Sequence, residues 1–165
     1  MTMPRETDIH TEYPRGERVP AIMLDRIRSD ILRQLFQYWD EKRGDRRAPS
    51  RDDIDPAGLI EALPYMFLID VLAEPRRYRV RLMGTVLVDW YGQDITGRYL
   101  DEIMDQELGA LHELVTTWRP RRLVRESGRT PGRVKLYELL ALPLSTDEAA
   151  VNMVLGGIVQ VDLNK

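Results

Sequence analysis

The chain has 165 residues, 43% hydrophobic and 31% charged, with a formal net charge of −3. That length suits one domain with a real core, the composition excludes wholesale disorder, and the slightly acidic balance lacks the electrostatic footprint of a nucleic-acid binder. The absence of cysteine excludes disulfides, thiolate-bound zinc, iron–sulfur clusters, thiol nucleophiles and any chromophore held through a cysteinyl adduct.

Residues 1–20 carry Pro4, Pro14 and Pro20 among scattered charges and are expected to form a flexible tail, without the apolar stretch of a signal peptide. No apolar run reaches the roughly 18 residues of a membrane span, so a soluble, cytoplasmic protein is expected. From Ile22 the pattern becomes helical. Leu24, Ile27, Ile31, Leu35 and Tyr38 recur three and four residues apart, widened by Leu32, Phe36 and Trp39, and predict one long amphipathic helix over 22–40. Asp55-Pro56 is a helix start, with a capping carboxylate and then proline at the first helical position; Pro64 stops that short helix.

Tyr65–Leu72 and Tyr78–Met83 read as strands joined by the turn Ala73-Glu74-Pro75-Arg76. Gly84-Thr85 opens a short helix through Trp90, capped by Thr85. Gly92–Gly97 is a turn, where glycine supplies positive φ, and Tyr99–Met104 is a further helical turn. Leu108, Leu111, Leu114, Val115 and Trp118 place a helix over 107–118, ended by Pro120. Leu123–Arg125, Val134–Leu144 and Val151–Val161 are the remaining strands, the first two joined by a Pro-Gly turn at 129–132. Two strands, a cluster of short helices and three strands make an antiparallel α+β domain over 21–165, preceded by the long N-terminal helix.

This order resembles a PAS domain, with a five-stranded antiparallel sheet and short helices inserted between strands two and three. The segment Gly92-Gln93-Asp94-Ile95-Thr96-Gly97-Arg98, followed by Leu100-Asp101-Glu102-Ile103, is similar to the PAS stretch in which one short helix ends at glycine and a Gly-Arg turn opens the next. Trp39-Asp40, Arg43-Gly44, Pro49-Ser50-Arg51, Asp53-Ile54-Asp55-Pro56, Leu63-Pro64, Tyr78-Arg79-x-Arg81-Leu82-x-Gly84-Thr85 and Leu142-Pro143-Leu144-Ser145 resemble, in that order, a proteobacterial family of single-domain PAS proteins. Val161-Asp162-Leu163-Asn164 is similar to the Asp-x-Thr ending of many PAS sheets, with asparagine in place of threonine. The resemblance implies a stand-alone sensory or adaptor module. It would act through protein partners of a signalling pathway, with a small ligand in the PAS cavity as a further option.

Within a PAS cone, alternate strand residues and the helical residues Val86, Leu87, Trp90, Leu111, His112 and Val115 would face a ligand pocket; the plainer reading is that they fill the core. His112 is either a boundary histidine or, by resemblance to haem-binding PAS sensors, an axial haem ligand; no cofactor is expected otherwise. No catalytic residue and no metal site is expected, because His10 falls in the tail and His112 lacks a paired ligand or a nucleophile frame. The alternatives are a small cone-shaped α+β enzyme with a hydrophobic pocket and a purely structural dimerisation module.

The stripe Leu24, Ile27, Ile31, Leu35 and Tyr38 covers either its own sheet or that of a second subunit, which makes it the surface for an expected homodimer. Arg121, Arg122 and Arg125, part of an arginine-rich run beside Trp118, read as a charged, exposed edge strand or as a site for an anionic ligand or acidic partner. Strand alternation puts Arg121, Leu123 and Arg125 on one face and Arg122 on the other.

Overall fold

A computed structural model of the chain describes residues 21–104, 108–127 and 135–161. The expected tail over 1–20, the turn at 129–132 and the closing residues 162–165 lie outside them. The sheet consists of β1 (Met66–Ala73), β2 (Arg76–Met83), β3 (Arg121–Ser127), β4 (Lys135–Leu144) and β5 (Met153–Val161). Its order is β2-β1-β5-β4-β3 and every neighbouring pair is antiparallel. Helices α3 (Thr85–Tyr91) and α4 (Leu108–Thr117) and a 3-10 turn at Leu100–Glu102 come between β2 and β3. The fold expected from the sequence is the fold observed.

The N-terminal segment departs from expectation. Instead of one helix over 22–40 there are two, α1 (Ala21–Arg26) and α2 (Asp30–Arg43). The cause lies on the sheet. The backbone N–H groups of Arg28 and Ser29 donate to the Glu138 carboxylate at 2.8 Å each, so they leave the helical ladder. Ser29 adopts extended backbone (φ −75°, ψ 128°) and its hydroxyl accepts from the Leu32 N–H, capping α2.

Helix α2 lays Leu32, Leu35, Phe36 and Trp39 on β4 and β5, and all four are essentially inaccessible to water. Burying each of the three smaller side chains contributes about 1.5–3 kcal/mol. The Trp39 indole N–H donates to the Pro143 carbonyl at 2.8 Å, which satisfies its one polar atom. Arg43 is also interior: it pairs with Asp40 at 2.8 Å, donates to the Arg46 carbonyl and lies over the Trp39 ring.

Asp55 caps a 3-10 helix, Pro56–Leu59, through a bond from the Ala57 N–H at 2.9 Å. The cap of α3 is Gly84 rather than Thr85, which is the first helical residue. Gly84 sits where an added Cβ would strike the carbonyls of Leu63 and Pro64, so its role is close approach rather than positive φ. Gly92 and Gly97 do take positive φ, 95° and 89°, as the expected turn requires. Helix α4 ends with Trp118 at φ 64° and its N–H bonded to Leu114.

Strand alternation sorts the sheet into two faces. On β4, Leu140, Leu142 and Leu144 point toward α2 with Glu138, while Tyr137, Leu139 and Ala141 point to the short helices. Cross-strand partners share those faces: Leu142 pairs with Leu155, and Leu139 with Ile158.

Candidate functional site: an apolar cavity on the helical face

Between the short helices and the sheet lies a cavity of about 340 Å³, within the 300–1,000 Å³ range of small-molecule sites. Phe67, Ile69, Val80, Met83, Tyr137, Leu139 and Ile158 form its floor from four strands. Leu87, Trp90 and Tyr91 of α3, Ile95, Leu100 and Met104 of the following segment, and Leu111 of α4 form its walls. Two backbone bonds hold that segment to β2, from Gly97 N–H to the Val80 carbonyl at 2.7 Å and from Val80 N–H to the Arg98 carbonyl at 2.9 Å. Arg77 adds a fork onto Asp101 at 3.0 and 3.1 Å while stacking on Tyr99. The bond to Asp101 raises the Arg77 pKa above its usual value, and the same contact lowers that of Asp101.

Trp90 and Tyr91 are 39% and 43% exposed, which puts solvent at that end of the cavity. The Trp90 ring meets Tyr137 edge-on at 5.0 Å, an arrangement that aromatic quadrupoles favour.

Among the described lining residues Arg121 carries the sole charge. It is 4% exposed and pairs with Glu113 Oε2 of α4 at 2.9 Å. Burial pushes its guanidinium pKa down. Leu123, two residues on, lines the same space, as alternation predicts. Arg125 shares that face, half-buried and outside the lining.

Arg122 points to the opposite face. It is 5% exposed and donates through Nε to Glu138 Oε2 at 2.7 Å, with its Nη2 2.6 Å from the same oxygen. The three arginines are therefore not the exposed strip that the sequence suggested. Helix α4 on one face and the α1–α2 junction on the other cover this end of the sheet, and each face supplies a carboxylate to one guanidinium. Glu138 itself has no accessible surface. Sequence reasoning missed it, although a lone carboxylate inside the apolar run Leu136–Leu144 was the available signal.

Of the helical residues expected at the pocket, Leu87, Trp90 and Leu111 line it. Val115 is buried elsewhere in the core and Val86 is half-buried outside the lining. His112 is exposed and turned toward β2, where its Nδ1 lies 2.6 Å from the Tyr78 hydroxyl. That direction leaves it out of the cavity lining. Tyr78 is 2% exposed, and burial raises its phenol pKa against an opposing pull from Arg76.

The stripe expected at a dimer surface is interior to one chain. Ile27 and Leu35 are 1% and 0% exposed, and Leu24, Ile31 and Tyr38 pack half-buried against the same cluster. Of the two expected coverings, the chain's own sheet is the one observed. Among the described residues no group of three His, Asp or Glu side chains could hold a metal ion, and no helix is long and apolar enough to cross a membrane.

The profile of a family described as PAS domain matches residues 27–159. Among solved structures, the chain is similar to a light-oxygen-voltage domain studied with a flavin analogue, at 16% identity over 66% of this chain and 84% of that one, with a TM-score of 0.49. It is also similar to a LOV protein from Rhodobacter sphaeroides, at 15% identity over 60% of each chain and a TM-score of 0.45. The PAS domain of Bordetella pertussis BvgS matches at 21% identity over 59% of this chain and 75% of that one, with a TM-score of 0.41. No curated protein matches the chain.

Proposed function

The chain belongs to the PAS domain family, whose profile spans residues 27–159, and from that premise we propose that it is a sensory or adaptor module. A small ligand enters the cavity, the packing of the sheet changes, and a protein partner reads the change at the α1–α2 segment. The observation that carries this reading is the cavity itself: an apolar space of about 340 Å³ is kept open where a core of this size would ordinarily be filled.

A physical route out of the cavity exists in β3 and β4. Leu139 and Arg121 lie at the cavity, while their chain neighbours Glu138 and Arg122 lie on the other face, where Glu138 accepts both the Arg28 and Ser29 N–H groups and the Arg122 guanidinium. Movement of a strand toward or away from a ligand moves both sets together. Such coupling requires two states that the ligand distinguishes. The lining favours a binding role over catalysis. Among the described residues its ionisable groups are Arg121, Tyr91 and Tyr137, without the histidine or carboxylate that a general base would supply.

Native mass spectrometry of the full chain and of Leu139→Trp, which fills the cavity, tests the proposal. The expected result is a small molecule or a protein partner retained by the wild-type chain and lost from the variant. Identical spectra for both proteins would contradict it.

A further inference from the structure

The cavity combines an apolar lining with one buried guanidinium. Were the space only a packing defect, an apolar residue at position 121 would serve as well, because a buried ion pair is often no more stabilising than a hydrophobic replacement of similar volume. Arg121 instead presents a cation at 4% exposure to the interior of the site. Glu113, which pairs with it from α4, has a side chain 44% exposed, so that carboxylate can turn to water at little cost. A guanidinium at an apolar wall matches a ligand that ends in a planar two-oxygen anion, and the fork geometry of arginine fits a carboxylate.

We propose that the cavity binds an amphipathic carboxylic acid, with the apolar body against Ile69, Leu139 and Leu123 and the carboxylate on Arg121, displacing Glu113. This rests on the ligand-sensing reading above and names the ligand class. The volume sets the size. About 340 Å³, at the lower end of the range of small-molecule sites, suits a medium-chain fatty acid or a small aryl acid. Trp90 and Tyr91 of α3 are lining residues open to solvent, and the apolar tail lies toward them.

Octanoate, octan-1-ol and octylamine share one tail and differ in the head. Titration calorimetry of the full chain with each separates the contributions. Octanoate is expected to bind saturably and about tenfold more tightly than octanol, the typical value of one charge-assisted contact, with octylamine weaker still. In Arg121→Gln the preference for octanoate over octanol should vanish, and in Leu139→Trp binding of both should be lost. If Arg121→Gln fails to fold, Glu113→Gln supplies the test. Removing the competing carboxylate from an exposed position should tighten octanoate a few-fold and leave octanol unchanged.

Equal affinity for octanoate and octanol, abolished by Leu139→Trp, would overturn the carboxylate assignment while leaving the sensing cavity standing. Failure of octanoate to bind, or octanoate binding unaltered in Glu113→Gln, would overturn the assignment too. The sensing role would then be decided separately by the native mass spectra.

Discussion

Glu138 offers the most exacting test of how the two faces of the sheet are joined. Its carboxylate accepts the Arg28 and Ser29 N–H groups and the Arg122 guanidinium, at 0% exposure. Glu138→Ala takes the carboxylate away from the buried Arg122 guanidinium, 5% exposed, and removes the acceptor from the buried Ser29 N–H. Breaking such a pair from one side costs about 3–5 kcal/mol. For a chain of this length that lowers the melting temperature by about 10–15 °C. The double change Glu138→Leu with Arg122→Leu removes both charges and leaves mainly the Ser29 N–H unsatisfied, a cost of about 1–3 kcal/mol. The double variant is therefore expected to be more stable than Glu138→Ala, although it has lost more native groups. Urea unfolding of Glu138→Ala, of the single change Arg122→Leu, of the double variant and of wild type supplies the free energies, and amide exchange at Ser29 reports the junction directly. A loss below about 1 kcal/mol for Glu138→Ala, or a double variant as unstable as the summed singles, would refute the buried-pair reasoning.

Three further changes probe other parts of the structure. Leu35→Ala empties a fully buried position between α2 and the sheet and should cost about 2–5 kcal/mol in chemical denaturation; no loss would mean that α2 is not packed on β4 and β5. His112→Ala strands the buried Tyr78 hydroxyl and should cost about 1–2 kcal/mol, whereas adding Tyr78→Phe should restore most of it; additive losses in that cycle would contradict the pairing. Asp53 has its pKa lowered first by the Ser50 N–H and then by Arg46 against some desolvation. Its folded value therefore lies below its unfolded one, and its stabilising contribution is present above the unfolded pKa and lost as pH falls through the folded one. Asp53→Asn should flatten the melting-temperature profile below about pH 4, and a profile as steep as wild type would rule the contribution out.

The sheet and its helical insertion were legible in the sequence because each rests on local chemistry. β-branched runs, Asp55-Pro56 and the paired glycines Gly92 and Gly97 fix their own backbone regardless of what lies across the fold. The division of β3 was legible for a similar reason, since alternation alone sends Arg121 and Arg122 to opposite faces. What alternation does not contain is what waits on each face. Arg122 reads as a surface residue until Glu138, 16 positions away, is placed beside it. The unbroken stripe from Leu24 to Tyr38 likewise reads as one helix until the same carboxylate takes the N–H groups of Arg28 and Ser29. The cavity depended on absent volume, which no count of apolar residues reveals: Leu111 reaches it and Val115, one helical turn on, does not. His112 shares their helix, and its direction followed from Tyr78 on β2, a contact separated by 34 positions.

Hydrogen exchange of the full chain with the cavity empty, saturated with octanoate, or filled by Leu139→Trp tests most directly whether the cavity speaks to the opposite face. Filling should alter protection at the Arg28 and Ser29 amides and along the first turn of α2, beyond the expected slowing at α3 and the segment 95–104. Protection that changes around the cavity and stays constant at Arg28, Ser29 and α2 would contradict transmission through β3 and β4.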